Sequence, residues 1–262
     1  MVRIKGFVID LDGTLYLERF LIPGSKELLM ELENRNIPYL LLTNNSTRTP
    51  QQVAEKLKNM GIEVTSKRIY TSANALGDYL RDHYTGTHRA YVIGEDGILE
   101  ELTNLGWEIV NSHREAEFVI VGLDRKVDYD KLTKAVLAIQ NGAKFIACNA
   151  DSSFPTPEGL LPGAGAIVSA IRTVVRIDPL ILGKPNEYIV KYATKRMGLE
   201  IKETAIVGDR VDTDILLGKR MGMVTVLVMT GVQKSEEEIE KASPDFIFSD
   251  VSELWKNISK LL

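Results

Sequence analysis

Residues 7–14 read Phe-Val-Ile-Asp-Leu-Asp-Gly-Thr, and this stretch decides how the rest of the chain is interpreted. Its first three residues are apolar and favour β-structure, which indicates a buried strand of a parallel sheet. Asp10 and Asp12 follow, and Gly13 turns the chain. Because ligands bind at the carboxyl ends of strands in open α/β sheets, the stretch predicts two carboxylates at such a rim. Taken alone, it is equally typical of an Asp-Gly turn after a strand.

Composition narrows the class of protein. The hydrophobic content of 44% and the charged content of 26% are ordinary for a soluble globular protein. The net charge of −4 gives no reason to expect nucleic acid or an anionic membrane as a partner. Cys148 is the only cysteine, so no intrachain disulfide can form. No apolar signal segment opens the sequence and no apolar run approaches the about 20 residues that span a bilayer, so we expect a cytoplasmic protein.

Strand and helix patterns alternate along the chain. Thr49, Pro50 and Gln52 form a capping-box pattern that starts one helix, and the periodicity predicts another over Tyr129–Gln140. The Pro/Gly-rich stretch Asn149–Gly165 is predicted to be a loop, and a strand at residues 180–182 resumes the alternation. Roughly ten βα units are many for one open sheet, so we expect two parallel sheets with covering helices.

Four loops follow four strands that we expect to share one sheet edge. Together they carry aspartates, a threonine hydroxyl and a lysine. Oxygen ligands of this kind suit Mg²⁺, and phosphoryl transfer needs mainly positioning and charge neutralisation. Taken singly, each loop is also typical of an ordinary turn, helix cap or surface lysine. The four loops are Asp10 to Thr14, Thr43 to Asn45, Gly183 to Pro185, and Gly208 to Asp214.

In chain order, Asp10-Leu11-Asp12-Gly13-Thr14, Thr43, Lys184 and Gly208-Asp209-Arg210-Val211-Asp212-Thr213-Asp214 resemble the four motifs of the haloacid dehalogenase-like phosphatases. The segment between the second and third motifs is similar to the large α/β cap of the subgroup with para-nitrophenyl, phosphoglycolate and pyridoxal phosphate phosphatases. The resemblance runs essentially end to end. It implies an α/β fold with a Rossmann-like parallel-sheet core of residues 1–77 and 180–262. Residues 78–179 would form an inserted α/β cap that selects the substrate.

The resemblance also implies roles for single residues. Asp10 would be the nucleophile that forms an aspartyl-phosphate, and Asp12 the general acid and base. Thr43 and Lys184 would complete the catalytic set by holding and neutralising the phosphoryl group. The implied substrate-binding residues are Gly13, Thr43, Asn44, Asn45, Asn149, Asp151 and Lys184.

Mg²⁺ is the cofactor that the resemblance implies. Its ligands would be Asp10, the main-chain carbonyl of Asp12, and Asp209, while Asp214 would orient metal-bound waters or Lys184. In the cap, Asn149 and Asp151 lie in an Asn-Ala-Asp turn that faces the active site in the subgroup. An Asx-turn that merely closes a strand is the alternative for this turn.

We therefore predict a Mg²⁺-dependent phosphatase that hydrolyses a small phosphorylated metabolite. Alternatives are a phosphomutase with the same nucleophile and a receiver-like module that is phosphorylated without turnover. Asp12 argues against the receiver, because an adjacent acid/base shortens the life of an aspartyl-phosphate. A dehalogenase is disfavoured because that chemistry needs neither the second aspartate nor Mg²⁺. The sequence does not choose among sugar phosphates, phosphoglycolate, nucleotides and pyridoxal phosphate, and it leaves open a homodimer formed through the cap.

Overall fold

The structure is a computed structural model, and it describes residues 4–156 and 158–262. Its strands are β1 (Gly6–Asp10), β2 (Tyr16–Leu17), β3 (Phe20–Leu21), β4 (Tyr39–Thr43), β5 (Ile69–Thr71), β6 (Arg89–Ile93), β7 (Glu108–Ile109), β8 (Phe118–Val121), β9 (Lys144–Ala147), β10 (Ser153–Thr156), β11 (Gly159–Pro162), β12 (Leu180–Ile181), β13 (Thr204–Gly208), β14 (Val224–Val228) and β15 (Phe246–Phe248).

The helices alternate with these strands, which confirms the predicted α/β class. They are α1 (Ser25–Asn34), α2 (Pro50–Asn59), α3 (Ser72–His83), α4 (Asp96–Asn104), α5 (Tyr129–Gln140), α6 (Ala164–Val175), α7 (Glu187–Met197), α8 (Leu216–Met221), α9 (Glu236–Ala242) and α10 (Val251–Lys256). A π-helical turn, Val211–Ile215, precedes α8. In the part of the chain that is described, no helix combines the length and the apolar character needed to cross a membrane.

The chain divides into two units. The first contains the residues up to Thr43, together with Val53–Tyr70 and Lys184–Leu262, and the second contains Asn44–Gln52 and Thr71–Gly183. The predicted division, after residues 77 and 179, differs at each boundary. The reason is that 44–52 and 71–77 pack against α4: the N–H of Gly97 donates to Thr47 O, and the side chain of Asn74 donates to Glu101. A substrate-selecting role for the second unit stays a prediction.

The sheet of the first unit runs β15-β14-β13-β1-β4-β5. β1 lies between β13 and β4 and is parallel to both, with Ile9 opposite Val207 and Leu41. All five residues of β1 are buried, as expected for a strand covered on both faces. Alternate side chains point to opposite faces, so Ile9 joins the core cluster that contains Leu28 of α1. The three parallel strands end at one edge, which carries Asp10, Thr43 and Gly208.

The sheet of the second unit runs β12-β9-β8-β6-β7, and its strand pairs are parallel. Its core cluster joins Val119 and Val121 of β8 to Ala138 of α5 and Ile171 of α6. We expected the strand at residues 180–182 in the first sheet, and this expectation was wrong. Leu180 and Ile181 pair with Ile146 and Ala147 of β9, so the strand that precedes Lys184 belongs to the second unit.

The predicted loop Asn149–Gly165 contains an antiparallel hairpin, β10–β11, in which Phe154 lies opposite Leu161. Its prolines had indicated irregular structure. In a ribbon of two strands, however, every strand is an edge strand, and prolines are tolerated where no ladder hydrogen bond is needed. Pro157 of the predicted loop lies outside the described residues. The short strand β7, paired with β6, was not predicted.

Candidate active site

The site of the first unit starts where β1 ends. The carbonyl of Leu11 accepts the N–H of Leu15 at 2.9 Å and the N–H of Tyr16 at 3.3 Å, and Gly13 supplies a φ of +87° that favours glycine. This turn separates the two motif aspartates. Asp10 is 8% exposed, whereas the side chain of Asp12 is 56% exposed. The two carboxylates therefore have different surroundings.

Lys184, a residue of the first unit, contacts two aspartates of the same unit. Its Nζ donates to Oδ1 of Asp10 and, at 2.7 Å, to Oδ1 of Asp214. Burial by itself lowers the pKa of the Lys184 ammonium, but the two carboxylates outweigh burial and raise it, so the lysine stays charged. Burial raises the pKa of Asp10; Lys184 opposes this, while Asp214 and Asp209 add to it.

Asp209, directly after β13, lies between two glycines and accepts the N–H of Val232 at 2.8 Å. A Cβ on Gly13 would lie 2.5 Å from Oδ2 of Asp209, and a Cβ on Gly231 would lie 2.1 Å from it. Both glycines have positive φ angles, +87° and +69°. Burial and then the nearby Asp214 raise the pKa of Asp209 to about 6, against the opposing Val232 N–H. At positions 13 and 231, therefore, only glycine fits beside the Asp209 carboxylate.

Asp214 lies in the π-helical turn that follows Asp209. Oδ2 accepts the N–H of Arg210 at 3.2 Å, and a Cβ on Gly208 would lie 2.3 Å from the Asp214 carboxyl. The sequence predicted a loop over Gly208 to Asp214. Instead, the wider π turn brings the carboxyl back to the strand end, a common use of such turns at functional sites.

Carboxylate oxygens of Asp10, Asp209 and Asp214 all lie within 4.8 Å of one another. Three buried carboxylates around the ammonium of Lys184 carry excess negative charge when ionised, and a hard divalent cation compensates such charge through oxygen ligands. The donor set therefore fits Mg²⁺. The carboxylate of Asp12 is not part of this cluster. The ligand set that the resemblance implied uses the Asp12 main-chain carbonyl and stays a prediction.

The other predicted residues of this unit lie at the same edge. Thr43 ends β4 and is 4% exposed. Its predecessor Leu42 is the register partner of Asp10, so Thr43 continues the strand beside the end of β1. The carbonyl of Gly13 accepts the hydroxyl of Thr230 at 2.6 Å. Contacts of either residue with a phosphoryl group stay predictions.

Three of the predicted substrate residues of the second unit, Asn44, Asn149 and Asp151, are joined by hydrogen bonds. Asn44 Nδ2 donates to Oδ1 of Asp151 at 3.0 Å, and Asn44 O accepts Asn149 Nδ2 at 2.7 Å and the Ser72 hydroxyl at 2.6 Å. Asn45 Oδ1 accepts the N–H of Thr47 at 2.8 Å and its hydroxyl at 2.7 Å. These bonds hold Asn44 and the Asn-Ala-Asp turn together. Substrate binding by the four predicted side chains stays a prediction.

Two residues beside Asp12 were missed by the sequence reasoning. The hydroxyl of Tyr16 donates to Oδ2 of Asp12 at 2.9 Å, and Lys56 Nζ of α2 lies 3.7 Å from Oδ1. Tyr16 follows the first motif directly, but a tyrosine next to a short strand carries no signal of this contact. Lys56 is distant in sequence and is indistinguishable there from a surface lysine.

Parallel-sheet cores with acidic residues and a lysine at the carboxyl edge are typical of phosphoryl-transfer enzymes. The family model described as haloacid dehalogenase-like hydrolase matches residues 7–108, and one described as HAD-hydrolase-like matches residues 181–254. An acid sugar phosphatase of Staphylococcus aureus (strain USA300) is 40% identical over 261 residues, which are 99% of this chain and 100% of the relative.

Solved structures agree with these matches. A hypothetical protein from Pyrococcus horikoshii OT3 superposes with a TM-score of 0.91 at 40% identity, over 99% of this chain and 100% of that one. A p-nitrophenyl phosphatase from Archaeoglobus fulgidus superposes with a TM-score of 0.89 at 34% identity, over 97% and 99%. The chain belongs to the haloacid dehalogenase-like hydrolases. The resemblance and the predicted enzyme class, a phosphatase acting on phosphomonoesters, are confirmed.

Proposed function

We propose that the chain hydrolyses small phosphorylated metabolites, phosphorylated sugars among them, through an aspartyl-phosphate on Asp10 and with Mg²⁺. The observation that carries the proposal is the buried contact of Lys184 with both Asp10 and Asp214 at the edge where the parallel strands end. A lysine held there can neutralise a phosphoryl group as it transfers to the nucleophile. The names of two relatives, acid sugar phosphatase and p-nitrophenyl phosphatase, support the substrate class.

In the first step, a carboxylate oxygen of Asp10 attacks phosphorus. The bond between phosphorus and the leaving oxygen breaks, and Asp12 gives its proton to that oxygen. Lys184 keeps the Asp10 carboxylate oriented through its hydrogen bond, and its charge offsets the negative charge of the transferring group. Thr43 supplies a hydroxyl donor to a phosphoryl oxygen from the neighbouring strand end.

In the second step, water attacks phosphorus and Asp12 accepts the proton that the water loses. The bond between phosphorus and the Asp10 oxygen breaks, and inorganic phosphate leaves. Asp10, the main-chain carbonyl of Asp12, and Asp209 would hold Mg²⁺, which when bound neutralises phosphoryl charge. Asp214 would keep Lys184 in place. The enzyme would act in the cytoplasm on free metabolites.

A screen of phosphorylated metabolites, measured as phosphate release with Mg²⁺ and with EDTA, tests the proposal. We expect turnover of at least one sugar phosphate in Mg²⁺ and its loss in EDTA. Asp10→Asn should lower turnover by several orders of magnitude, because the amide is not a nucleophile. Retention of more than about a tenth of wild-type phosphate release by Asp10→Asn would exclude the covalent mechanism. Turnover that needs a bisphosphate activator and returns the phosphoryl group to the substrate would instead show a phosphomutase.

A further inference from the structure

The side chain of Asp12 contacts two residues, Tyr16 and Lys56, that have no role in the steps proposed above. Tyr16 donates its hydroxyl to Oδ2 at 2.9 Å, and Lys56 Nζ lies 3.7 Å from Oδ1. Lys56 Nζ also lies 3.9 Å from the centre of the Tyr16 ring. Each of the three side chains therefore contacts both of the others.

Packing accounts for the ring of Tyr16 but not for these polar contacts. Tyr16 is 2% exposed and belongs to the core cluster of the first unit. That position would be filled equally well by phenylalanine. The side chain of Asp12, by contrast, is more than half exposed, and an exposed carboxylate on a turn samples several rotamers unless contacts select one. Tyr16 and Lys56 provide contacts on both oxygens.

We propose that Tyr16 and Lys56 are positioning residues that hold the Asp12 carboxyl for proton transfer to the leaving oxygen. This inference rests on the proposed function, in which Asp12 is the general acid. Because the Tyr16 hydroxyl binds Oδ2, the oxygen that exchanges the proton is Oδ1. As the Oδ1–H bond breaks and the proton moves to the leaving oxygen, negative charge develops on the Asp12 carboxylate. The ammonium of Lys56 and the Tyr16 hydroxyl stabilise that charge where it forms.

Leaving groups of different basicity test the inference. p-Nitrophenyl phosphate and phenyl phosphate differ by the nitro group alone. p-Nitrophenolate is a weak base that leaves without a proton, whereas phenolate is more basic and gains more from one. The measure is the ratio of kcat/KM for the two substrates, because kcat/KM covers the steps up to loss of the leaving group. Hydrolysis of the shared phosphoenzyme does not enter that ratio.

Tyr16→Phe and Lys56→Met should each lower kcat/KM for phenyl phosphate more than for p-nitrophenyl phosphate, by a factor on the order of ten. This factor is smaller than the 10²–10⁴-fold that a general acid contributes, because both variants keep Asp12. Lys56→Arg should restore much of the ratio. Lys58→Met, on the exposed face of the same helix, is the matched control and should leave the ratio unchanged. In an Asp12→Asn background, neither variant should change the ratio further, because the group they position is gone.

The outcomes separate the inference from the function on which it rests. If Asp12→Asn lowers both substrates equally, the acid role of Asp12 in the proposed function is wrong. If Asp12→Asn changes the ratio but Tyr16→Phe and Lys56→Met do not, the positioning role alone is overturned. Parallel losses on both substrates, or losses that persist in the Asp12→Asn background, would show that the two residues are merely structural.

Discussion

The ammonium nitrogen of Lys184 lies 2.7 Å from Oδ1 of Asp214, and both side chains are almost completely buried. The same nitrogen donates to Asp10. One cation therefore joins Asp10, the proposed nucleophile, to a second carboxylate that follows a different strand. Without Lys184, Asp10 and Asp214 would be buried close together without the ammonium that they share. The cluster is thus a balance of charges, and changing one member should alter both activity and stability.

Lys184→Met tests this balance. The variant should lose phosphatase activity by several orders of magnitude and, in EDTA at pH 8, lose on the order of 3–5 kcal/mol of unfolding free energy, because it leaves ionised carboxylates buried without their partner. At pH 5 the stability loss should be smaller, since protonation removes the repulsion. Urea unfolding at pH 8 and at pH 5 measures the two stability losses, and Lys58→Met is the control at an exposed lysine. Equal stability of Lys184→Met and wild type at pH 8 would contradict the charge-balance account.

Asp209 predicts an unusual pH dependence for the metal-free protein. Its pKa is raised from 3.8 to about 6 in the folded state. Between about pH 4 and 6 the folded protein therefore binds more protons at Asp209 than the unfolded chain does. Because of this difference, the contribution of Asp209 to the unfolding free energy falls as the pH rises. The fall should be on the order of 2 kcal/mol.

The variant Asp209→Asn isolates this contribution. Urea unfolding in EDTA should give a flatter profile between pH 4 and 6 for the variant than for wild type. With Mg²⁺ present at pH 7, wild type should gain more unfolding free energy than the variant, which should also need more Mg²⁺ for half-maximal activity. Identical pH slopes and identical Mg²⁺ requirements would remove Asp209 from the ligand set.

Much of this site could be predicted from the sequence because its residues follow strands directly. β1, β4 and β13 are short apolar runs with a polar residue at the end, so the parallel pattern alone gathers Asp10, Thr43 and Asp209 at one edge. Helix starts and ends were also predicted correctly where the hydrogen-bonding partners lie within four residues of one another. The Thr49–Gln52 capping box forms in both directions, and α5 has the predicted bounds, Tyr129–Gln140.

What could not be predicted depends on partners that are distant in sequence. The strand Leu180–Ile181 is too short for its pattern to choose a sheet, and its pairing with β9 is decided by tertiary contacts. The contact of Lys56 with Asp12 joins a helix to a turn, and no local pattern encodes it. The wide turn that places Asp214 is likewise invisible, since its residues fit an ordinary helix start equally well.

Two glycines with the same backbone conformation give a matched pair for the packing around Asp209. Gly231 and Gly222 both have φ of +69°, but only a Cβ on Gly231 would meet neighbouring atoms, Oδ2 of Asp209 at 2.1 Å among them. Both alanine variants should lose about 1–2 kcal/mol of unfolding free energy from backbone strain. Gly231→Ala should in addition raise the Mg²⁺ concentration for half-maximal activity, while Gly222→Ala should not. An unchanged Mg²⁺ requirement in Gly231→Ala would show that the Asp209 carboxylate is free to shift.

The last prediction concerns Asp151 in the second unit. Loops that contact the phosphoryl group see the same chemistry in every substrate, so discrimination among leaving groups needs residues elsewhere. A polar group that hydrogen-bonds one substrate discriminates strongly, because an analogue without the matching group leaves it unpaired. Oδ1 of Asp151 accepts Asn44 Nδ2 at 3.0 Å, which fixes the carboxylate. Asp151→Ala should therefore change the ranking of sugar phosphates and other metabolites far more than it changes hydrolysis of p-nitrophenyl phosphate.

The control for this prediction is Thr47→Val, which removes the hydroxyl that donates to Asn45 Oδ1 in the same unit. If loosening the polypeptide near Asn44 were enough to alter substrate choice, both variants would shift the ranking of kcat/KM values in the same way. If Asp151 itself recognises the leaving group, only Asp151→Ala shifts the ranking, and Asp151→Asn shifts it partly, because the amide oxygen still accepts while the charge is gone. Parallel losses on every substrate, or none, would leave the Asn-Ala-Asp turn with a structural role: its bonds to Asn44 would close a strand and do nothing more.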